Sequence, residues 1–421
     1  MSDLLERDRA ALWHPYTQHG LERETLPVVA AEGSWLTLED GRRVLDAISS
    51  WWCCLHGHGR PELVAAIARQ AAQLDHVLFA GATHEPAVAL AERLLAVAPA
   101  GLTRVFYSDN GSTAVEVALK LAYQSCQHRG EAERRFFIAF EGGYHGDTFG
   151  AMAVGDPEPF FRPFEPLLFP VVRVPLDAGA LARAFERLPG QVAAVILEPL
   201  IQAAGGMRVY SPSLLVEARR LSREHGALLI ADEVMTGFGR TGSLFACSAA
   251  GIEPDLLCLA KGLTGGTLPL ATTLAREEIF DAFLSTERSR AFFHGHTFTA
   301  NPIACAAALA SLELVLAENV PARFAALGGR IEATLRAALS NGDVRNGLRR
   351  LGGIVALDLP ARHGDTGYLS SRALELRRRA LELGALLRPL GNVLYAMPPA
   401  STTEEQGDRI AHIMAELTET I

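Results

Sequence analysis

The sequence predicts an α/β fold, with a large domain on a mostly parallel central sheet flanked by helices and a smaller α+β domain. Three observations predict it. The middle of the chain alternates short apolar runs with amphipathic helical patterns. The runs are continuous rather than alternating, as in strands buried on both faces of a parallel sheet. From residue 303 onward the composition shifts to small-residue helices and isolated strand patterns.

The apolar runs lie at 104–108 (RVFYS), 136–140 (FFIAF), 192–198 (VAAVILE), 227–232 (ALLIAD) and 256–261 (LLCLAK). Between the runs at 192–198 and 227–232 falls an amphipathic stretch, 213–225, stopped by Gly226, which reads as a helix with a glycine end. Strand–helix–strand order implies a doubly wound core. Further on, 303–317, 320–339 and 368–383 read as helices, 352–359 as a strand, and 384–397 as short strands. Residues 1–60 hold too little periodic structure to fold alone and are expected to pack on the smaller domain. The expected division is therefore 1–60, 61–302 for the large domain, and 303–421 for the small one.

Composition excludes several classes. The 421 residues are 49% apolar and 21% charged, as in an ordinary globular protein. A net charge of −9 argues against a nucleic-acid or anionic-membrane partner. The six cysteines, Cys53, Cys54, Cys126, Cys247, Cys258 and Cys305, form no C-x-x-C pair, so neither a zinc site nor a disulfide framework is expected. The first ten residues, MSDLLERDRA, lack a signal-peptide pattern, and no apolar run approaches the ~20 residues that span a bilayer. A reducing cytoplasm is the expected compartment.

Three features carry chemistry. Gly111-Ser112-Thr113 follows a strand and opens a helix, where free N–H groups and the helix dipole favour a phosphate. Thr113 and Glu116 fit a capping box at its start. Asp232 ends an apolar strand, where a carboxylate needs a cationic partner. Lys261 lies beside another strand end, where desolvation makes an amine nucleophilic, among Gly262, Gly265 and Gly266. Each alone has an ordinary structural explanation. Together they supply a phosphate anchor, an anion for a pyridine nitrogen and an amine for an aldehyde, which pyridoxal 5'-phosphate needs.

The stretch DEVMTGFGRTGSLFA, followed by PDLLCLAKGLTGG, resembles the class III aminotransferases of fold type I. That resemblance implies a pyridoxal-phosphate-dependent transaminase in which Lys261 holds the cofactor, Asp232 meets the ring nitrogen, Gly111 and Ser112 cradle the phosphate and Tyr144 stacks on the ring. It also implies a homodimer with shared sites. There Gly295, His296 and Thr297, in HGHTF, reach the partner subunit's cofactor and substrate.

A finer resemblance is to the biotin-biosynthetic branch of that family. It rests on WHPYT at 13–17, SSWW at 49–52, YHGDTFG at 144–150, Arg388-Pro389 and Met397-Pro398-Pro399. It implies 8-amino-7-oxononanoate as acceptor, with Tyr16 and Trp51 bordering the substrate channel and Arg388 pairing with the distal carboxylate. Trp52 is expected to pack in the core, and Arg240 either pairs with a carboxylate or fixes its glycine-rich loop. Tyr16, Trp51 and Ser112 agree with members using S-adenosylmethionine as donor. His296, where many of those have proline, resembles relatives that use lysine. An ω-amino acid transaminase of the ornithine or 4-aminobutyrate type is the alternative.

Overall fold

The computed structural model describes residues 3–22, 25–360 and 367–419. The expectations touching residues 1–2, 23–24, 361–366 and 420–421 lie outside the described residues. A seven-stranded sheet forms the centre, in the order Leu102–Ser108, Ala271–Arg276, Leu256–Leu259, Leu228–Asp232, Val192–Leu197, Phe136–Phe140, Val172–Val174. Ala271–Arg276 is antiparallel to both neighbours, and the remaining pairs are parallel. Every residue of Val192–Leu197 and of Leu256–Leu259 is buried, which explains their unbroken apolar runs. Ala271–Arg276 had no such run. Its Thr272 and Thr273 are buried, and Thr273 satisfies its hydroxyl by donating to the Ala114 carbonyl at 2.8 Å.

Helix Gly111–His128 covers one face of the sheet with Ala114, Val115, Ala118, Leu119 and Ala122. Its start corrects the sequence reading. The cap is Asn110, whose side chain accepts from Thr113 N, while the Asn110 N–H donates to Thr113 Oγ1. Glu116 is free of that role and accepts from Gly150 N at 2.6 Å, at the start of helix Phe149–Val154. Helix Pro212–Glu224 is capped by Ser211 and ends before Gly226, whose φ of +64° suits glycine.

A second core lies between helices Val320–Ala338 and Glu404–Glu419 and a sheet of Arg349–Leu351, Ile354–Asp358 and Val393–Ala396. The early strands Val28–Glu32, Trp35–Leu38 and Arg43–Asp46 form a sheet completed by Ala385–Leu386. Helix Pro302–Ala317 buries Ala304, Cys305, Ala308, Leu312 and Val315 in the first core, so it belongs with the large sheet. Composition alone could not show which core its apolar surface joins.

Buried charge ties the sheet to its helices. Arg219 and Asp255 are 7% and 6% exposed and form two hydrogen bonds, at 2.5 and 3.0 Å. Asp255 also meets Arg276 and accepts from Leu229 N. Removing one partner of such a pair leaves an uncompensated charge and costs about 3–5 kcal/mol. We predict a loss of that order for Asp255→Ala in urea denaturation. A loss below about 1 kcal/mol, as for a surface pair, would contradict it.

Candidate active site

Five strands with parallel direction end at one cavity of about 640 Å³. Their carboxyl ends lead to Asp109–Ser112, Tyr144–Asp147, Glu198, Asp232 and Lys261, all on its wall. This is where α/β sheets place ligands. The N-terminal segment contributes Tyr16, Trp51 and Trp52, and the second core contributes Arg388, Tyr368 and Tyr395. Of the residues singled out in the sequence, Tyr16, Trp51, Gly111, Ser112, Tyr144, Asp232, Lys261 and Arg388 therefore meet. Gly295 and Thr297 are exposed, and with His296 they lie off this cavity.

The floor is electrostatic. Asp232 is 5% exposed. Its Oδ2 lies 2.7 Å from His145 Nδ1, and its Oδ1 accepts from Val234 N at 3.1 Å. Burial lowers the pKa of Lys261, opposed by the negative charges of Asp232 and Glu198. Among the described residues no carboxylate forms an ion pair with Lys261; its ammonium sits over the Trp52 ring, 4.9 Å from the centroid. The Lys261 backbone has a φ of +38°, rare for a residue with a side chain.

The cradle is steric as well. A Cβ on Gly111 would lie 2.6 Å from Val234 Cγ1, and one on Gly146 would lie 2.1 Å from Ser112 Oγ. Ser112 Oγ accepts from Asp147 N at 3.0 Å. Helix Gly111–His128 thus points its first N–H groups at the cavity with no side chain in the way. Phosphate cradle, buried carboxylate and desolvated amine fit pyridoxal phosphate.

The mouth is aromatic. Tyr16 and Tyr144 both donate to Asp147 Oδ1, at 2.6 and 2.9 Å, with their hydroxyls 3.1 Å apart. Burial raises both phenol pKa values; the Asp147 hydrogen bond adds to it at Tyr16, and the Tyr16 hydrogen bond at Tyr144. Arg388 lies over the Trp51 ring at 4.7 Å and donates to the Tyr16 carbonyl at 3.4 Å. Trp52 is 3% exposed and donates to Tyr395 Oη at 2.9 Å, so it is both core and cavity wall. Arg240 lies behind that wall. It is 1% exposed and donates to the Pro398 and Trp52 carbonyls, and no carboxylate pairs with it among the described residues.

Sequence reasoning missed His145, Asp147 and Glu198. Glu198 carried the same signal as Asp232, a carboxylate ending an apolar strand. Its two oxygens accept from Tyr144 N and Ala203 N at 3.0 and 2.9 Å. His145 and Asp147 stood in a quoted motif, but nothing in the sequence says which strand end each would face.

The chain belongs to the class III aminotransferases: residues 16–418 match that family. It is 49% identical to the adenosylmethionine-8-amino-7-oxononanoate aminotransferase of Synechococcus elongatus, covering 97% of this chain and 99% of the relative. It is 41% identical to the protein of the same name from Geobacter sulfurreducens, covering 96% and 95%. The crystal structure of that aminotransferase from Methanocaldococcus jannaschii superposes with a TM-score of 0.94 at 37% identity, covering 99% and 98%. A pyridoxal-phosphate-bound amine transaminase from an uncultivated Pseudomonas species gives 0.86 at 33% identity, covering 97% of each chain.

Burial pushes the Glu198 carboxyl up to about 7, opposed by His145 and reinforced by Asp232. Its folded pKa exceeds its unfolded one, so its contribution to stability is full below about 4.5 and is lost as pH rises to about 7. We predict that thermal midpoints of the wild type fall relative to those of Glu198→Gln across that window. Parallel curves would contradict the assignment.

Proposed function

We propose that this aminotransferase converts 8-amino-7-oxononanoate to 7,8-diaminononanoate in biotin biosynthesis, with pyridoxal 5'-phosphate as cofactor and S-adenosylmethionine as amino donor. One observation carries the acceptor: Arg388 stands over Trp51 on an apolar, aromatic cavity whose floor holds Lys261. A guanidinium there suits the carboxylate of a long keto acid, and the rings suit its alkyl chain. Full-length similarity to relatives named for that substrate supports the same reading.

When bound, pyridoxal phosphate supplies the electron sink through which an amino group leaves one substrate and joins the next. Gly111 and Ser112 hold its phosphate at the helix N-terminus. Asp232, fixed by His145 Nδ1 and Val234 N, would face the ring nitrogen. Tyr144 covers the ring. Lys261 Nζ would hold the cofactor, and its amine would serve as the base and acid that takes and returns the substrate's proton. Asp147 offers a carboxylate to the donor's cationic groups beside the Tyr16 face, which suits an adenine. Lysine as donor is the second reading, favoured by His296 in HGHTF. Two copies of the chain complete the site. Gly295, His296 and Thr297 serve the partner, and the exposed Phe293 and Phe298 beside them suit a covered face.

The donor test mixes the coloured holoprotein separately with S-adenosylmethionine, lysine, glutamate and 4-aminobutyrate. We expect S-adenosylmethionine to discharge the visible absorbance. Response to lysine alone selects the second reading, and response only to glutamate or 4-aminobutyrate overturns the assignment. Lys261→Ala should lose turnover altogether. Arg388→Met should raise the KM for the keto acid by roughly 10–100-fold while sparing the donor half-reaction. Mixing Lys261→Ala with Thr297→Ala chains should restore activity above either variant, because one site of the hybrid dimer is then native. No gain on mixing would remove the shared-site reading.

A further inference from the structure

One ring of the cavity wall, Phe160, takes no part in holding cofactor or carboxylate. It is half-buried and lines the cavity. Its centroid lies 4.6 Å from that of Tyr368, 5.7 Å from Tyr16 and 5.8 Å from Tyr144, and each pair meets edge to face. Those tyrosines belong to the second core, the N-terminal segment and the large sheet in turn. Phe160 therefore touches side chains from all three parts of the chain that build the cavity.

The loop that carries it is fixed. Asp156 N donates to the Gly143 carbonyl at 2.8 Å, and Gly142 N donates to Asp156 Oδ2 at 2.6 Å. Gly142 and Gly143 lead directly into Tyr144, so one turn places both rings. Arg173 donates to the Ala153 and Gly155 carbonyls at 2.7 and 2.9 Å. Phe161 is 2% exposed and lies nearly flat on Tyr144, with centroids 5.9 Å and planes 23° apart. A Cβ at Gly155 would lie 2.8 Å from the Phe161 ring, so that glycine makes room for it. The buried Phe161 pins the loop, and Phe160 is left on the cavity side.

The rings run in a row along the wall. Arg388 lies over Trp51, Trp51 meets Tyr16 at 5.5 Å, Tyr16 meets Phe160, and Phe160 meets Tyr144. A keto acid with its carboxylate at Arg388 and its carbonyl at Lys261 must pass along that row. We infer that Phe160 is a specificity-determining residue for the acceptor, the ring that narrows the cavity to an unbranched methylene chain; this rests on the function proposed above. Edge-to-face contacts on three sides hold the ring in place. A fixed apolar wall discriminates by roughly 10–200-fold for each carbon that fails to fit.

The test loads the protein with pyridoxamine 5'-phosphate and measures single-turnover rate constants for two acceptors, 8-amino-7-oxononanoate and the bulkier acetophenone. Phe160→Ala should lower the first by about tenfold and raise the second by at least about tenfold. Phe160→Leu, which keeps an apolar side chain, should move the ratio the same way by a smaller factor, and it carries the test if the alanine chain fails to fold. Calorimetric binding of nonanoate, a straight chain that does not react, should weaken by about tenfold in Phe160→Ala. An acceptor ratio within about twofold of wild type in the variants, or unchanged nonanoate binding, would overturn the inference. Should the wild type ignore 8-amino-7-oxononanoate, the functional reading falls instead, and succinate semialdehyde, also a straight chain, takes its place in the same comparison.

Discussion

The carboxylate of Asp232 at the end of a strand buried on both faces is the constraint around which the site is arranged. An ionised group there is costly unless it is hydrogen-bonded and faced by positive charge. His145 and the Val234 amide satisfy two directions and leave a third open to the cavity. The same charge acts on its neighbours. It helps drive Glu198 up and resists the loss of charge that burial imposes on Lys261. Burial is the larger cause at both groups; the Asp232 charge adds to it at Glu198 and opposes it at Lys261.

Backbone strain marks the same region. Tyr16, Ser49, Ser50, Trp52 and Lys261 all have positive φ. Such residues persist where the surrounding structure over-determines them. Asp46 supplies that for the Ser49–Trp52 turn, and the Arg240 bonds to the Trp52 and Pro398 carbonyls tie it to the second core. The strain sets Trp51 and Trp52 on the cavity wall, the first half-open and meeting Arg388, the second buried and meeting Tyr395. Cys53 is carried into the wall by the same turn.

The central strands and most helices could be read from the sequence, because a strand buried on both faces has no polar positions to hide its run. Ala271–Arg276 escaped notice because its buried threonines break that run, and the Thr273 hydroxyl finds its partner only in the Ala114 carbonyl of the covering helix. Helix Pro302–Ala317 packs in the core of the large sheet, and its apolar residues, lying all round it, do not say in the sequence which core they join. The Thr113–Glu116 reading failed for a related reason. Asn110 competes for the same amide, and Glu116 finds a better partner in the distant Gly150.

The sequence by itself determined the chemistry. Gly111-Ser112, Asp232 and Lys261 are each placed by a local pattern, a strand end or a helix start, and local pattern is what a sequence records. Tertiary structure alone decided which strand ends face one another. It set His145 against Asp232, drew Asp147 between Tyr16 and Tyr144, and laid Arg388 over Trp51. Those pairings, with the Arg388 bond to the Tyr16 carbonyl, join residues up to 372 positions apart in the chain. They follow from sheet order and from the docking of two cores, and both depend on packing energy summed over the whole fold.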